Sequence, residues 1–549
     1  MSTAISLTRD EVATLERNPP RQPAPRIAAP AAPPMVPQLT TRRVFAFIAM
    51  VFGMFMAILD IQVVSASLSE IQAGLSASAD EIPWVQTSYL VAEVIMIPLS
   101  GLLARVFSTR YLFATSAAGF TLASIMCASS NSIDQMIVWR AIQGFIGGGM
   151  IPSVFAAAFT VFPKEKQPIV SPLIGLVATL APTIGPTVGG YLTNQFSWHW
   201  LFLVNVIPGC AVAVATFLLI DFDKPQLSLL NRFDWTGLLG LALFLGNLEY
   251  VLEEGPNHEW FQDQSVFVCG ILSCVGAVLF FWRAATAHQP IVDLRAFNNR
   301  NFSTGCVLSF VLGVGLYGLT YIYPVYLARV RDYDALMIGK TMFVSGLTMF
   351  FCAPLVGRLM TRVDPRVLLG FGFSVFALGT YMASDVTKDW DFYELLVPQI
   401  LRGSGMMFSM VPITNMSLAT LSPERIRSAS GLFNLTRNLG GAFGLAGINT
   451  LMNKRMDLHL VRLHEKVAWG HFKAEETLSN MTAVMAPRGS DAEVAAIKKL
   501  ALLVRREALV MALSDVFFAL TVIFVVMLLF LPLVKRPKLG VAAGGGGGH

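Results

Sequence analysis

The chain has 549 residues, 54% of them hydrophobic and 14% charged, with a mean hydropathy of +0.60. An average soluble domain is about 25% charged, so the composition excludes a soluble domain and describes a polytopic membrane protein. The net charge of +5 would suit nucleic acid in a soluble protein, but here Lys and Arg cluster beside apolar segments and read as topology signals.

Residues 1–43 are rich in Pro, Ala and Arg ("NPPRQPAPRIAAPAAPPMVP") and lack apolar periodicity, which describes a disordered cytoplasmic tail. This stretch is too long and too Pro-rich for a signal n-region, so no cleavage is expected. From Val44 onward, apolar segments of about 20 residues recur, each long enough to cross a bilayer. Fourteen such spans are expected, the first over 44–66 and the last over 508–534. The six cysteines (Cys127, Cys210, Cys269, Cys274, Cys306 and Cys352) lie in or beside apolar runs, without a CxxC pair or a His at ligand spacing. They read as packing residues, with neither a disulfide framework nor a metal site expected.

Counting the flanking residues, the even-numbered connections carry fourteen Lys and Arg, against Arg329, Arg331 and Lys388 in the short odd-numbered ones. This asymmetry puts the even connections and both termini in the cytoplasm. The connection 453–507 is long and of mixed charge; it falls outside, with helical periodicity in "DLHLVRLHEKVAWG" and "DAEVAAIKKLALLVRREALV" sufficient for one or two amphipathic helices.

A faint repeat relates the halves. "GLLARVFSTR" (101–110) and "GRLMTRVDPR" (357–366) share Gly, Leu and Arg at matching positions, and "RAIQGF" (140–145) and "RGSGMM" (402–407) both open with Arg inside a span. Repeats with the binding site at their interface characterise secondary transporters. The expected organisation is a six-span bundle at 44–220, a linker at 221–301 carrying inserted spans seven and eight, a six-span bundle at 302–534, and a flexible tail at 535–549.

Asp60, Glu93, Arg140 and Arg437 fall well inside spans, with Arg402 a fifth intramembrane charge. A charge at a span's centre costs roughly 2.5–3.5 kcal/mol on insertion scales. Asp60 and Arg140 lie at similar depths, about 9 Å from the outer boundary, close enough in level to pair. Two readings stay open: a fixed ion pair locking spans one and four, or a proton carrier. A carboxylate's hold on a proton strengthens with burial and weakens beside an Arg, so moving an Arg or admitting water switches it near neutral pH. Glu93, deeper in span two, is the second candidate.

"LAPTIGPTVGGYL" (180–192) places Pro182, Gly185, Pro186, Gly189 and Gly190 inside span five. Helix breakers in lipid are tolerated where neighbours or waters satisfy the freed backbone, and small residues let helices approach. The stretch reads as a packing kink or as a pliable seam on which transport bends. "IGKT" (338–341) echoes a phosphate loop, but Asp334 stands where its first Gly belongs, so no ATP binding is expected.

"ILDIQVV", "WVQTSYLVAEVIMIPLSGLLARV", "RAIQGFIGGGMIP" and "APTIGPTVGG", with "RNLGGAFG" (437–444), resemble the fourteen-span drug/proton antiporters of the major facilitator superfamily, most of all the EmrB branch. The resemblance implies two six-helix bundles plus two inserted helices in an all-α fold. It matches Asp60 to the acid tied to proton coupling and Arg140 to an Arg that takes part in proton transfer. It also matches Gly185, Pro186, Gly189 and Gly190 to the antiporter signature. In the loop after span two, Gly101 and Arg110 keep the superfamily's pattern, but Arg105 replaces the gating acid and Ser108 a Gly, leaving the usual cytoplasmic gate without its carboxylate.

The expected function is proton-driven efflux of amphipathic small molecules across a bacterial inner membrane, powered by the proton gradient with no cofactor, and not an enzyme. Met54, Met56, Met96, Phe310 and Phe408 are candidate cavity residues, because soft side chains suit varied ligands. The resemblance adds a periplasmic adaptor and an outer-membrane channel as partners. An exporter dedicated to one metabolite, such as a siderophore or organic acid, and a non-transporting receptor are the alternatives.

Overall fold

The computed structural model describes residues 40–533, apart from 79–80, 164–165, 222, 288, 422, 468–471 and 486–490. Most of the expected N-terminal tail and all of the expected C-terminal tail lie outside the described residues; Thr41, Arg42 and Arg43 already belong to the first helix.

The described residues contain helices and no strand. In chain order the long ones are α1 (Thr41–Ser65), α2 (Trp84–Phe107), α3 (Thr109–Ala128), α4 (Ile133–Val161), α5 (Gln167–Gln195), α6 (Trp200–Leu219) and α7 (Trp235–Glu254). They continue with α8 (Gln264–Thr286), α9 (Arg300–Arg329), α10 (Ala335–Leu359), α11 (Pro365–Ala383), α12 (Phe392–Leu418), α13 (Pro423–Val467) and α14 (Ala492–Leu528). Eleven are long and apolar enough to span a bilayer, twelve when α5, bent by 41° between Val170–Pro182 and Ile184–Gln195, counts as one. The other two, α12 and α13, stand where spans twelve and thirteen are expected and turn their polar residues into protein: Gln399, Arg402, Asn415, Ser430, Asn434 and Arg437 are all buried. The helices are thus consistent with fourteen spans in a multi-pass membrane protein.

Capping side chains fix where helices begin. Ser132 opens α4, Asp263 α8, Asn299 α9, Asp334 α10 and Asp364 α11, each accepting from a backbone N–H of the first turn, and Asp391 with Glu394 forms a capping box on α12. "IGKT" lies within α10, in helix rather than a phosphate-binding loop.

Helices α1–α6 pack into one bundle and α9–α14 into a second. The bundles meet along two seams, α2 and α4 against α13, and α5 against α10 and α12. The inserted pair stays together: Ser273 of α8 donates to the Phe244 carbonyl of α7 (3.0 Å), where Ala242–Gly246 form a single wide π turn. Helix α7 also packs on both α2 and α13. In the connection 453–507, the first stretch expected to be an amphipathic helix continues α13 as far as Val467, its last three residues lying outside the described residues, the second forms the start of α14 from Ala492, and a separate helix, Phe472–Met485, lies between them. Asp515 ties the extensions together through His459 (2.8 Å) and Arg455 (3.6 Å).

We call the end of the assembly from which α1 starts proximal and the opposite end distal.

Candidate functional site

The site grows from the close approach of α2 and α4. A Cβ on Gly144 would collide with the Tyr89 carbonyl, so only glycine lets the helices touch there. That contact carries Arg140 into the interior, where it is 0% exposed. Its Nη1 donates to Asp60 Oδ2 (2.7 Å) and Gln143 Oε1 (2.7 Å), and its Nε to the Val85 carbonyl (3.1 Å). The guanidinium lies 4.3 Å from the Tyr89 ring centroid, a cation–π contact.

Asp60 is satisfied on both oxygens. Oδ1 accepts from Asn205 Nδ2 (2.6 Å) and Gln143 Nε2 (3.2 Å), and Gln143 in turn donates to Ser124 Oγ (2.8 Å). The expected Asp60–Arg140 pair therefore forms, inside a network joining α1, α3, α4 and α6. Gln143, Asn205 and Ser124 were not legible as members, being uncharged; the available signals were Gln143 three residues after Arg140 and Asn205 within the apolar "LFLVNVIPG".

Glu93 is different. It is 3% exposed, and its carboxylate makes no hydrogen bond or ion pair among the described residues. It acts electrostatically with Asp60 and Arg140. A second such acid, Glu249 of α7, is 7% exposed and likewise unpaired. Tyr317 of α9 is within electrostatic reach of Glu93, Glu249 and Arg437, so groups from both bundles and the inserted helix converge on it. Its hydroxyl donates to Asn438 Oδ1 (3.2 Å). The sequence hid Glu249, because "NLEYVLEEG" reads as the polar end of a span.

The span-five stretch sits against α1 just past Asp60. A Cβ on Gly185 would strike Gln62, and one on Gly189 would lie 2.8 Å from the Val63 carbonyl oxygen. The 41° bend follows Pro182, and Thr193 Oγ1 takes up the carbonyls of Gly189 (3.0 Å) and Gly190 (3.3 Å). Pro186 removes one further backbone donor from the same turn. On its other side, α5 presses Thr187 against Gly339 of α10 at the distal end.

At the proximal end, Gly101 lets α2 meet α13: an added Cβ would be 2.9 Å from the Arg427 carbonyl oxygen and from Ser428 Cα. Arg110 lies over the Phe217 ring (4.5 Å), and among the described residues Arg105 Nε has no hydrogen-bond partner. The carboxylate missing from this loop is supplied by Asp223, in the connection before α7. It accepts from the Thr109 N–H (3.1 Å) and Thr109 Oγ1 (2.9 Å) at the start of α3, and pairs with Arg427 of α13 (2.8 Å).

In the second bundle Arg402 repeats Arg140 without the acid. It donates to Gln399 Oε1 (3.3 Å) and Thr320 Oγ1 (3.1 Å) and lies 5.4 Å from the Tyr323 ring centroid. Arg437 contacts Asn434 and crosses to the first bundle, 5.0 Å over Phe155. Of the candidate cavity residues, Met54 is buried in the core, Met56 lies against α6 at Gly209, and Met96 lies against Gly148 and Gly149 of α4. Phe408 meets Phe371 of α11 edge-on, and Phe310 packs at a tilt against Phe443 of α13. Met407 and Met410 of α12 face Gly175 of α5 across the two bundles. Among the described residues no three His, Cys, Asp or Glu side chains converge to hold a metal ion.

Residues 50–445 match the Major Facilitator Superfamily. The chain belongs to that superfamily. It is 39% identical over 492 residues to the colistin resistance protein EmrB of Acinetobacter baumannii, covering 90% of this chain and 96% of that one. It is 30% identical over 503 residues to the multidrug export protein EmrB of Escherichia coli, covering 91% and 97%. Among solved structures it resembles the superfamily's proton:xylose symporter XylE (TM-score 0.57, 10% identity, 91% and 97% covered) and the human organic anion transporter MFSD10 (TM-score 0.55, 13% identity, 88% and 99% covered). At such identities these last two speak to the fold alone.

Proposed function

We propose that the chain is a proton-driven exporter of amphipathic small molecules in a bacterial inner membrane, with both termini cytoplasmic, and not an enzyme. The observation that carries the proton coupling is Glu93, a buried carboxylate next to the Asp60–Arg140 pair with no ion-pair partner of its own among the described residues. In a low-dielectric interior an unpaired carboxylate is stable only when a proton or another cation neutralises it. Asp60 and Arg140 share that coupling region, and the proton gradient is the energy source, with no cofactor. One charge moving inward across 100 mV releases about 2.3 kcal/mol.

Export of drugs is supported by relatives that match over nine-tenths of the chain and are named for multidrug export and colistin resistance. Alternating access is supported by paired seams, α2–α13 at the proximal end and α5–α10 at the distal end, that touch through glycines and so need little side-chain repacking to part. A periplasmic adaptor and an outer-membrane channel complete the proposed pathway, with the helical 453–507 region as the part that projects toward them.

The test is dye efflux from proteoliposomes under an imposed pH gradient. Native protein should drive efflux that collapses with the gradient, and Glu93→Gln should lose it at matched insertion. Gradient-independent efflux, or native-like efflux from Glu93→Gln, would overturn the coupling assignment.

A further inference from the structure

The Asp60–Arg140 pair is balanced, but the charges gathered around Tyr317 are not. Glu93 comes from α2, Glu249 from the inserted α7 and Arg437 from α13. The two acids are also within electrostatic reach of each other. Neither has a hydrogen-bond or ion-pair partner among the described residues, and both are more than nine-tenths buried. Arg437 donates through Nη2 to Asn434 Oδ1 and lies over Phe155, and among the described residues its Nη1 has no hydrogen-bond partner. With both acids ionised, negative charge exceeds positive here, and Glu253 of α7, also within electrostatic reach of Glu249, adds to the excess.

Helix α7 is built to deliver Glu249 to this place. Its wide π turn, Ala242–Gly246, directly precedes the segment Asn247–Glu254, and turns of this kind gather at functional sites. Gly246 packs on Val91 and Ile95 of α2, at the level of Glu93. Farther out, Glu254 accepts from Thr87 Oγ1 (3.1 Å), Trp84 stacks on Tyr250 (5.3 Å), and Leu252 meets Ala442 and Ala446 of α13. The turn of α7 that carries Glu249 is therefore held from both ends between two helices that belong to different bundles. An acid with only a structural role would be paired or turned to water.

We propose that Glu249 and Glu93 form a subsite for the positively charged group of a lipophilic organic cation, which makes the inserted helix α7 a working part of the transport site. The proposal rests on the export reading above and names a class of molecule exported. The cation replaces the missing counter-charge of the two acids, and Tyr317 provides an aromatic neighbour, a favourable environment for a desolvated cation.

The test is equilibrium binding of tetraphenylphosphonium to the full chain in detergent, with thermal unfolding as a check on folding. Glu249→Gln is expected to weaken binding by about tenfold or more, and Glu249→Asp to restore most of it. Glu249→Gln should also lower efflux of a cationic dye relative to a neutral dye in proteoliposomes. Unchanged tetraphenylphosphonium affinity in Glu249→Gln, or equal loss of cationic and neutral efflux, would overturn the subsite. A chain that binds tetraphenylphosphonium through Glu249 yet shows no gradient-driven efflux would sink the export reading and keep the subsite. Gradient-driven efflux of a neutral dye without tetraphenylphosphonium binding would do the reverse.

Discussion

Asp60→Asn keeps the side chain's size and removes its charge. In the native protein the two carboxylate oxygens accept from three donors: Arg140 Nη1 at 2.7 Å, Asn205 Nδ2 at 2.6 Å and Gln143 Nε2 at 3.2 Å. An amide offers one acceptor and one NH2, so every orientation points a donor at a donor. Arg140 meanwhile stays fully buried, with Gln143 Oε1, the Val85 carbonyl and the Tyr89 ring left to stabilise its charge. Removing one partner of a buried pair costs about 3–5 kcal/mol. The misplaced amide adds about 1–3 kcal/mol. The expected outcome is a large loss of thermal stability of the full chain in detergent. Partial recovery is expected in Asp60→Asn/Arg140→Gln, where the orphaned cation is gone, and a double-mutant cycle measures that coupling. A single variant within about 1 kcal/mol of native would refute the reasoning. It would mean that the Asp60–Arg140 contact is not what holds α1 to α4.

Gly189→Ala places a methyl group 2.8 Å from the Val63 carbonyl oxygen, a backbone atom of α1 that yields only if the helices separate, and 3.0 Å from Ser67 Oγ just past that helix. Overpacking of this kind costs about 1–3 kcal/mol, and dye efflux should fall while the protein remains folded; native efflux would show the α1–α5 contact to be slack. Asp223→Ala removes both the cap on Thr109 and the partner of Arg427. With the α2–α13 contact loosened, a cysteine placed at the buried Ser428 should react severalfold faster with a water-soluble maleimide, and an unchanged rate would deny Asp223 a role in closure. Burial alone would raise the pKa of Asp234, just before α7, but hydrogen bonds from Arg283, the Gly237 N–H and the Thr236 hydroxyl outweigh it and hold the carboxyl below its ordinary value. A depressed folded value means the stabilisation is complete above the unfolded value of about 3.9 and is lost as pH falls through the lower folded one. The stability gap between native protein and Asp234→Asn should therefore be constant above about pH 4 and close on further acidification; parallel unfolding profiles throughout would contradict it.

Hydropathy and Lys/Arg placement made the spans legible because the bilayer imposes length and composition directly on sequence. Asp60 and Arg140 were legible for the same reason, as charges in an apolar run. What the sequence concealed depends on neighbours rather than on local pattern. Glu249 lies in a helix whose other acids, Glu253 and Glu254, make its end look like a water-facing terminus, and only packing against α2 and α13 turns it inward. Asp223 is a lone acid in a linker, with no periodicity to reveal that it replaces the carboxylate absent from the loop after α2. Met56, Met96 and Phe408 are soft residues in spans, as Met407 and Met410 are, and composition cannot tell a residue packed within a bundle from one facing the other bundle.

The position of α7 makes the two seams unequal. Trp260, just beyond the helix, donates to Thr450 Oγ1 of α13 (3.1 Å), and Gly246 rests on α2, so one joint between the bundles is roofed by the inserted pair. The opposite joint has no such roof and opens into a groove of about 610 Å³ lined by Ile184, Thr187, Val188, Tyr333 and Met337. The protein thus has a sheltered flank and a bare one. On the sheltered flank the outermost helix is α8, whose exposed face carries Val275, Val278 and Trp282.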